Sequence, residues 1–165
     1  MAKVELMTAE RAPLLARPYY ERGYPGPIAA ALAQVPELMD SAMPFIGTVF
    51  GPTSVDDRLK EIVVLRTSAA NRCRYCTETH TGVAKRMGFD AAEVAALRGE
   101  TPPPPTFGEL ERALVAFSEA LSERPDEAVE GLRLHFDEAQ IVELVTLGSA
   151  TIMLNRFATA LGLPP

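Results

Sequence analysis

The chain has 165 residues, of which 47% are hydrophobic and 23% charged, and its formal net charge is −6. This length and composition suit one globular domain, and the negative charge argues against nucleic acid or an anionic membrane surface as the main partner. No uninterrupted run of about 18 apolar residues and no apolar signal segment is found, so we expect a cytoplasmic protein without a membrane-spanning helix.

The first half of the chain begins with an arm and continues with helical patterns. Residues 1–26, rich in Pro, Gly and Tyr in their second half, predict an irregular N-terminal arm. Helices are predicted over 27–35 and 36–50, the second interrupted or kinked at Pro44. A further helix is predicted to begin at Ser54 and to end near 71.

The second half of the chain is helical by the same signals. One helix is predicted to follow the cysteine pair and to end at Gly88. Three more are predicted from their capping residues, from Asp90 to Gly99, from Thr106 to the residue before Pro125, and from about 138, after the cap Asp137–Gln140, to Leu161. The sequence therefore predicts an all-α fold in a single domain, 1–165.

The stretch "EIVVLRTSAANRCRYCTETH" (61–80) holds both cysteines and one of the two histidines. In a reducing compartment such a pair indicates catalysis, redox cycling or metal binding more often than a structural disulfide. If a helix begins near Cys73, Cys76 and His80 form an i, i+4 pair on one face, and both sulfurs lie where the helix dipole favours a thiolate. These are the components of a dithiol redox centre.

Glu61 joins this cluster if the chain reverses at about 71–72. In two antiparallel helices the residue level with Glu61 is roughly position 82, within about one turn of His80. We therefore predict a relay from the Glu61 carboxylate through the His80 imidazole to the Cys76 thiol.

Other interpretations of the cluster remain open. Glu61, Cys73, Cys76 and His80 could together supply four zinc ligands, although the spacing lacks the second cysteine pair of most structural zinc sites. The cysteines could also be small buried side chains without chemistry. A thioredoxin-like site is disfavoured, because no strand pattern precedes the C-x2-C.

The spacing E-x11-C-x2-C-x3-H resembles the signature of the AhpD-like alkylhydroperoxidases, within the carboxymuconolactone decarboxylase superfamily. The likeness extends through "DDRLKEIVVLRTSAANRCRYC" and "HTGVAKRMGFDAAEVAAL", with a weaker echo in "FDEAQIVELV" and "NRFATALGLPP". It implies an AhpD-like helical bundle that assembles as trimers or hexamers and reduces peroxides without a bound cofactor or metal.

The resemblance also implies roles for the four motif residues. Cys76 would attack the peroxide, Cys73 would act as proton donor and resolving thiol, and Glu61 with His80 would form the proton relay. The reductant would be a dithiol such as a lipoyl group on a partner protein. Well-known peroxidase members carry a histidine where this chain has Tyr75.

Two alternatives to peroxide reduction accompany the resemblance. One is a lactone enzyme of the carboxymuconolactone decarboxylase type, which is not known to need a redox dithiol. The other is a non-catalytic thiol sensor or a zinc-stabilised subunit. The apolar segment 38–50 and the apolar C-terminal helix predict a homo-oligomer in either case.

Overall fold

The structure, a computed structural model, describes residues 2–165, and helices and loops alternate through them without a strand. The α-helices are α1 (Pro27–Leu32), α2 (Pro36–Phe50), α3 (Asp57–Ala70), α4 (Arg74–Arg86), α5 (Ala91–Leu97), α6 (Glu109–Glu123) and α7 (Glu138–Leu161). Short 3-10 helices lie at Leu14–Tyr20 and Glu130–Leu134. The predicted all-α fold is confirmed.

Helix α3 is the centre of the bundle, because α4, α5, α6 and α7 all pack against it. Its apolar side chains are buried among those of α6 and α7 in one cluster that includes Ile62, Val63, Leu65, Leu114, Phe117, Leu144 and Leu147. Since neighbours cover α3 on several sides, even its charged residues Lys60 and Glu61 are only 4% and 5% exposed. Charged groups this deeply buried need partners, and both have them.

Capping boxes fix the starts of α5 and α7, as their sequences predict. The Asp90 carboxylate accepts from the Glu93 backbone N–H (2.8 Å), and the Glu93 carboxylate accepts from that of Asp90 (3.0 Å). Asp137 and Gln140 make the same reciprocal pair at 2.8 and 3.1 Å. Each box satisfies two backbone donors that would otherwise lack partners.

Two predicted helix starts are wrong. The N-cap of α3 is Asp56, whose side chain accepts from the Arg58 backbone N–H, because the Ser54 hydroxyl is engaged with Glu143 of α7 (2.7 Å). Helix α6 follows Gly108, not Thr106, and the Gly108 backbone N–H donates to the Glu111 carboxylate (3.0 Å).

The N-terminal segment and α2 are more regular than their sequences predict. Within the predicted arm, of which residue 1 lies outside the described residues, Leu14–Tyr20 form a 3-10 helix. Tyr20 is buried and its hydroxyl donates to the Met7 carbonyl oxygen (2.9 Å). Helix α2 is not interrupted at Pro44 but continues to Phe50.

Helix α7 has the length and composition of a membrane span, with 24 residues and a mean hydropathy of 1.3 over its most apolar window. The sequence prediction missed this because it required an uninterrupted apolar run. In the structure α7 packs against α2, α3, α4 and α6. The same composition suits a helix that is covered by several neighbours.

Candidate active site

The turn between α3 and α4 positions the cysteine pair. The backbone N–H of Arg72 donates to the Ala69 carbonyl oxygen (2.9 Å) and that of Cys73 to the Ser68 carbonyl oxygen (3.0 Å), which is the Schellman pattern of a helix end. Arg72 takes the left-handed conformation (φ 55°) that glycine usually supplies there. The chain therefore reverses where predicted, and Cys73 becomes the N-cap of α4.

The two sulfurs are close together and buried. Their Sγ atoms lie 2.6 Å apart, and the Cys73 sulfur also accepts from the Cys76 backbone N–H (3.4 Å). Cys73 is 1% exposed and Cys76 is 5% exposed, and both are free thiols. Because a disulfide needs an S–S distance of about 2.0 Å, little movement separates this pair from a disulfide.

The local hydrogen bonds make the two thiols unequal. The pKa of Cys73 is lowered to about 6, chiefly by the hydrogen bond from the Cys76 thiol, against the effect of burial and with smaller contributions from the Cys76 backbone N–H, Thr159 and Asn155. The pKa of Cys76 is raised, first by that same hydrogen bond to Cys73 and then by burial. The helix N-terminus favours the same assignment, with Cys73 as the first thiolate of the pair.

Glu61 and His80 are hydrogen-bonded to each other across the α3–α4 hairpin. Nδ1 of His80 lies 3.0 Å from Oε1 and 3.1 Å from Oε2 of Glu61. The carboxylate thereby orients the ring and leaves Nε2 as the nitrogen that faces other groups. The sequence predicts this proximity, because in two antiparallel helices Glu61 and His80 lie within about one turn of each other.

The second link of the predicted relay is not a direct contact. Among residues 2–165 no hydrogen bond joins His80 to Cys76; instead the thiol of Cys76 is engaged with Cys73. Both residues border the same cavity, which we call the chamber. A molecule in the chamber can therefore reach the sulfur and the imidazole together.

The chamber has a volume of about 80 Å³ and is bounded by side chains from five helices. Its lining includes Cys76, His80, Ser68, Asn155, Tyr75 and the apolar Ile28, Phe50 and Leu154. Cys73 borders a different and larger cleft of about 320 Å³, together with Arg72, Arg74, Tyr75 and the C-terminal prolines. Tyr75 borders both cavities, so it stands between them.

A second polar network supports α3 beside Glu61. The Lys60 ammonium donates to the Gly51 carbonyl oxygen (2.5 Å) and lies 3.5 Å from the Glu143 carboxylate. Although burial raises the pKa of Glu143, hydrogen bonds from Thr53, Ser54 and the Val55 backbone N–H and the charge of Lys60 together lower it to about 2. The network ties the start of α7 to the loop before α3.

The four residues that could bind zinc do not form a metal-binding group in the part of the chain that the structure describes. No three His, Cys, Asp or Glu side chains in residues 2–165 form a group that could hold a metal ion. Glu61 and His80 are bonded to each other, and the cysteines form a separate pair.

The sequence prediction missed Ser68 and Asn155. Asn155 is 1% exposed, and its side-chain N–H donates to the Ser68 hydroxyl (3.1 Å), although the two are 87 residues apart. A polar residue inside the apolar pattern of α7 was the available signal, but nothing local shows which element it faces.

An all-α bundle that carries a buried C-x2-C pair at a helix N-terminus, beside a Glu–His pair, belongs to the AhpD-like class of helical proteins. The model of the carboxymuconolactone decarboxylase family matches residues 36–121. The uncharacterized protein YdfG of Bacillus subtilis (strain 168) is 30% identical over 115 residues, which cover 67% of this chain and 78% of YdfG. The chain is a member of the carboxymuconolactone decarboxylase family.

Solved structures share the fold across nearly the whole chain. One is an alkylhydroperoxidase AhpD core, an uncharacterized peroxidase-related protein from Ralstonia eutropha JMP134, with a TM-score of 0.82, 18% identity and coverage of 99% of this chain and 92% of that one. Another is the debrominase Bmp8 in complex with 2,3,4-tribromopyrrole, with a TM-score of 0.81, 19% identity and coverage of 99% and 93%. At these identities the likeness shows the fold alone.

Proposed function

We propose that this protein is a dithiol peroxidase that reduces a hydroperoxide with the Cys73–Cys76 pair. The observation that carries the proposal is that Cys76 and His80 border one small chamber, with the Cys73 sulfur 2.6 Å from that of Cys76 and Glu61 hydrogen-bonded to His80. A peroxide needs both a thiolate to attack it and a proton for the oxygen that leaves, and these residues can supply both.

The first step oxidises Cys76, the cysteine that borders the chamber. Its proton passes to the Cys73 thiolate, and the Cys76 sulfur then attacks the terminal peroxide oxygen. An S–O bond forms, the O–O bond breaks, and the leaving alkoxide takes a proton from Nε2 of the His80 imidazolium, which Glu61 orients. The products are an alcohol and a sulfenic acid on Cys76.

The second step closes the disulfide. The Cys73 sulfur attacks the sulfur of the Cys76 sulfenic acid, an S–S bond forms, and the hydroxyl leaves with the Cys73 proton as water. Two thiols are oxidised by two electrons in total and one hydroperoxide is reduced.

The reduced protein exposed to hydrogen peroxide tests this function. We expect both thiols to be lost for one equivalent of peroxide consumed. Glu61→Gln weakens the orientation of His80 and should slow thiol loss by about 10²–10⁴, the usual scale of general acid–base catalysis. Glu119→Gln, which removes an exposed glutamate paired with Arg66, is the control and should leave the rate unchanged. Thiols that persist in excess peroxide would show that the function is wrong.

We propose further that a dithiol, such as a lipoyl group on a partner protein, regenerates the enzyme. A thiolate of the reductant attacks the disulfide, and its second thiol resolves the mixed disulfide. The cleft beside Cys73 supports this proposal, since it is the larger opening and is bordered by Arg72 and Arg74. Dihydrolipoamide should sustain peroxide turnover better than glutathione at equal thiol concentration, and equal or better turnover with glutathione contradicts this donor class.

A further inference from the structure

The size of the chamber limits what can reach Cys76. Its volume is about 80 Å³, about half the roughly 150 Å³ of an engineered apolar cavity that binds benzene. The walls formed by Ile28, Phe50 and Leu154 are apolar. Hydrogen peroxide or a short alkyl hydroperoxide fits this space, whereas an aromatic hydroperoxide does not.

Asn155 brings an unsatisfied acceptor to this chamber. Its side-chain N–H group is fixed on the Ser68 hydroxyl at 3.1 Å. Its Oδ1 atom is buried and has no hydrogen-bond partner among residues 2–165. A buried carbonyl oxygen that accepts no hydrogen bond is energetically unfavourable. In native proteins a ligand or a water molecule usually supplies the donor that such an oxygen lacks.

Two other polar groups of the chamber are already engaged elsewhere. The hydroxyl of Thr151, one turn before Asn155 on α7, also borders the chamber but donates to the Leu147 carbonyl oxygen at 2.8 Å. The Cys76 thiol is engaged with Cys73. A molecule in the chamber can supply the donor that Oδ1 lacks.

We infer that the chamber binds a small hydroperoxide and that Oδ1 of Asn155 accepts a hydrogen bond from its terminal O–H group. The inference rests on the proposed peroxidase function and adds to it a substrate class and a substrate-binding residue outside the motif. An alkyl hydroperoxide has one such donor, on the oxygen that the thiolate attacks, and hydrogen peroxide has one on each oxygen. Asn155 thereby holds the attacked oxygen, and His80 is left to protonate the other one.

The chemistry of the step is unchanged by this contact. The terminal hydroxyl keeps its hydrogen and becomes the hydroxyl of the sulfenic acid, so Asn155 gains and loses no proton. Its contribution to the peroxide step is orientation. Asn155 also favours the thiolate form of both cysteines by lowering their pKa, an effect that changes the rates with all electrophiles alike.

The test compares two reactions of Cys76 at one pH in the Cys73→Ser protein, oxidation by hydrogen peroxide and alkylation by iodoacetamide, so that both rates report on the sulfur at the chamber. Asn155→Leu should lower the rate constant for peroxide about tenfold or more relative to that for alkylation. Thr146→Val, which removes a hydroxyl from the same helix outside the chamber, should leave the ratio of the two rate constants unchanged. If the peroxide and alkylation rates of Asn155→Leu fall together, or neither falls, Asn155 does not bind the peroxide.

The size limit is tested on the wild-type protein, so it does not depend on a variant that folds. Hydrogen peroxide and ethyl hydroperoxide should oxidise the thiols at least tenfold faster than cumene hydroperoxide. Leu154→Ala, which widens the chamber, should raise the relative rate with cumene hydroperoxide. Equal rates for all three peroxides overturn the inference and leave the peroxidase function standing. No oxidation by any of them overturns both.

Discussion

Two thiols that face each other at 2.6 Å share their protons, so each titrates in the field of the other. Cys73 loses its proton first, because its pKa is lowered by the neighbouring Cys76 thiol and its sulfur lies at the helix N-terminus and accepts from the Cys76 backbone N–H. The pair thus holds a thiolate on the cysteine outside the chamber and a thiol on the cysteine inside it. The more acidic thiol, Cys73, is therefore not the thiol that borders the chamber, which is Cys76.

The first prediction concerns this titration. The ultraviolet absorbance of thiolate in the reduced protein should show one thiol with a pKa of about 6, and the ionised fraction should rise as pH increases through that value. Because the hydrogen bond from Cys76 is the largest cause of the low pKa, Cys76→Ala should move the remaining titration of Cys73 to higher pH. A midpoint unchanged by Cys76→Ala shows that the helix N-terminus alone sets the acidity.

The second prediction assigns the two sulfurs in the peroxide step. Cys76→Ser should abolish rapid oxidation, because Cys73 does not border the chamber. Cys73→Ser should still consume one equivalent of peroxide, slowly, and stall as a sulfenic acid on Cys76 that a dimedone-type probe traps. The slow rate follows from the loss of the Cys73 thiolate that accepts the Cys76 proton.

A trapped sulfenic acid on Cys73 in the Cys76→Ser protein would reverse this assignment. It would mean that acidity outweighs access to the chamber. Mass spectrometry of the dimedone adduct distinguishes the two results, since the two cysteines lie on either side of Arg74, where trypsin cleaves.

At the scale of helices, the sequence predicted the helix starts and contacts that are fixed by residues close in the chain. It missed those that are fixed by residues far apart in the chain. The capping boxes of α5 and α7 use partners three residues apart, so pattern alone located them. The start of α3 was wrong because Ser54 bonds to Glu143, 89 residues away. In the site, Glu61 and His80 were predictable because a single hairpin joins them, whereas Asn155 reaches the chamber from α7, and helix packing alone decides that contact.

The third prediction concerns the contact between α7 and the loop before α3. Glu143→Gln removes the charge that faces the buried Lys60, so the variant should lose about 2–4 kcal/mol of unfolding free energy at pH 7. The folded-state pKa of Glu143, about 2, is below its usual value of 4.5, so the stabilisation is present above pH 4.5 and is lost as the pH falls toward 2. Chemical denaturation of both proteins at several pH values measures the difference, which should narrow below pH 4.5.

Glu138→Gln is the matched control for that measurement. It removes an exposed glutamate from the first turn of the same helix and should change stability by about 0.5 kcal/mol or less. If Glu143→Gln costs no more than Glu138→Gln, the buried Lys60 does not depend on Glu143.

At the scale of the whole molecule, an apolar groove runs between α2 and α7. Its volume is about 440 Å³, and it is lined by Leu32, Leu38, Ser41, Ala42, Phe45, Ile46, Met153, Leu154 and Phe157. Leu38 is 58% exposed, Phe45 46% and Met153 48%. These three exposed residues lie in the apolar segment 38–50 and in the C-terminal helix, the two segments that predict association from the sequence.

The last prediction is that a second copy of this chain covers the groove, in a homo-oligomer that we expect to be a trimer or a hexamer. Contiguous exposed apolar surface of this kind marks association sites, and each large apolar side chain that is buried contributes about 1.5–3 kcal/mol.

Phe45→Asp places a charge in the groove and should shift the assembly toward monomers in sedimentation velocity at micromolar concentration. Leu134→Asp is the control, since it charges a side chain that is 86% exposed but lies outside the groove, and it should leave the assembly intact. A monomeric wild-type protein at that concentration, or equal dissociation by both variants, contradicts the groove as the interface.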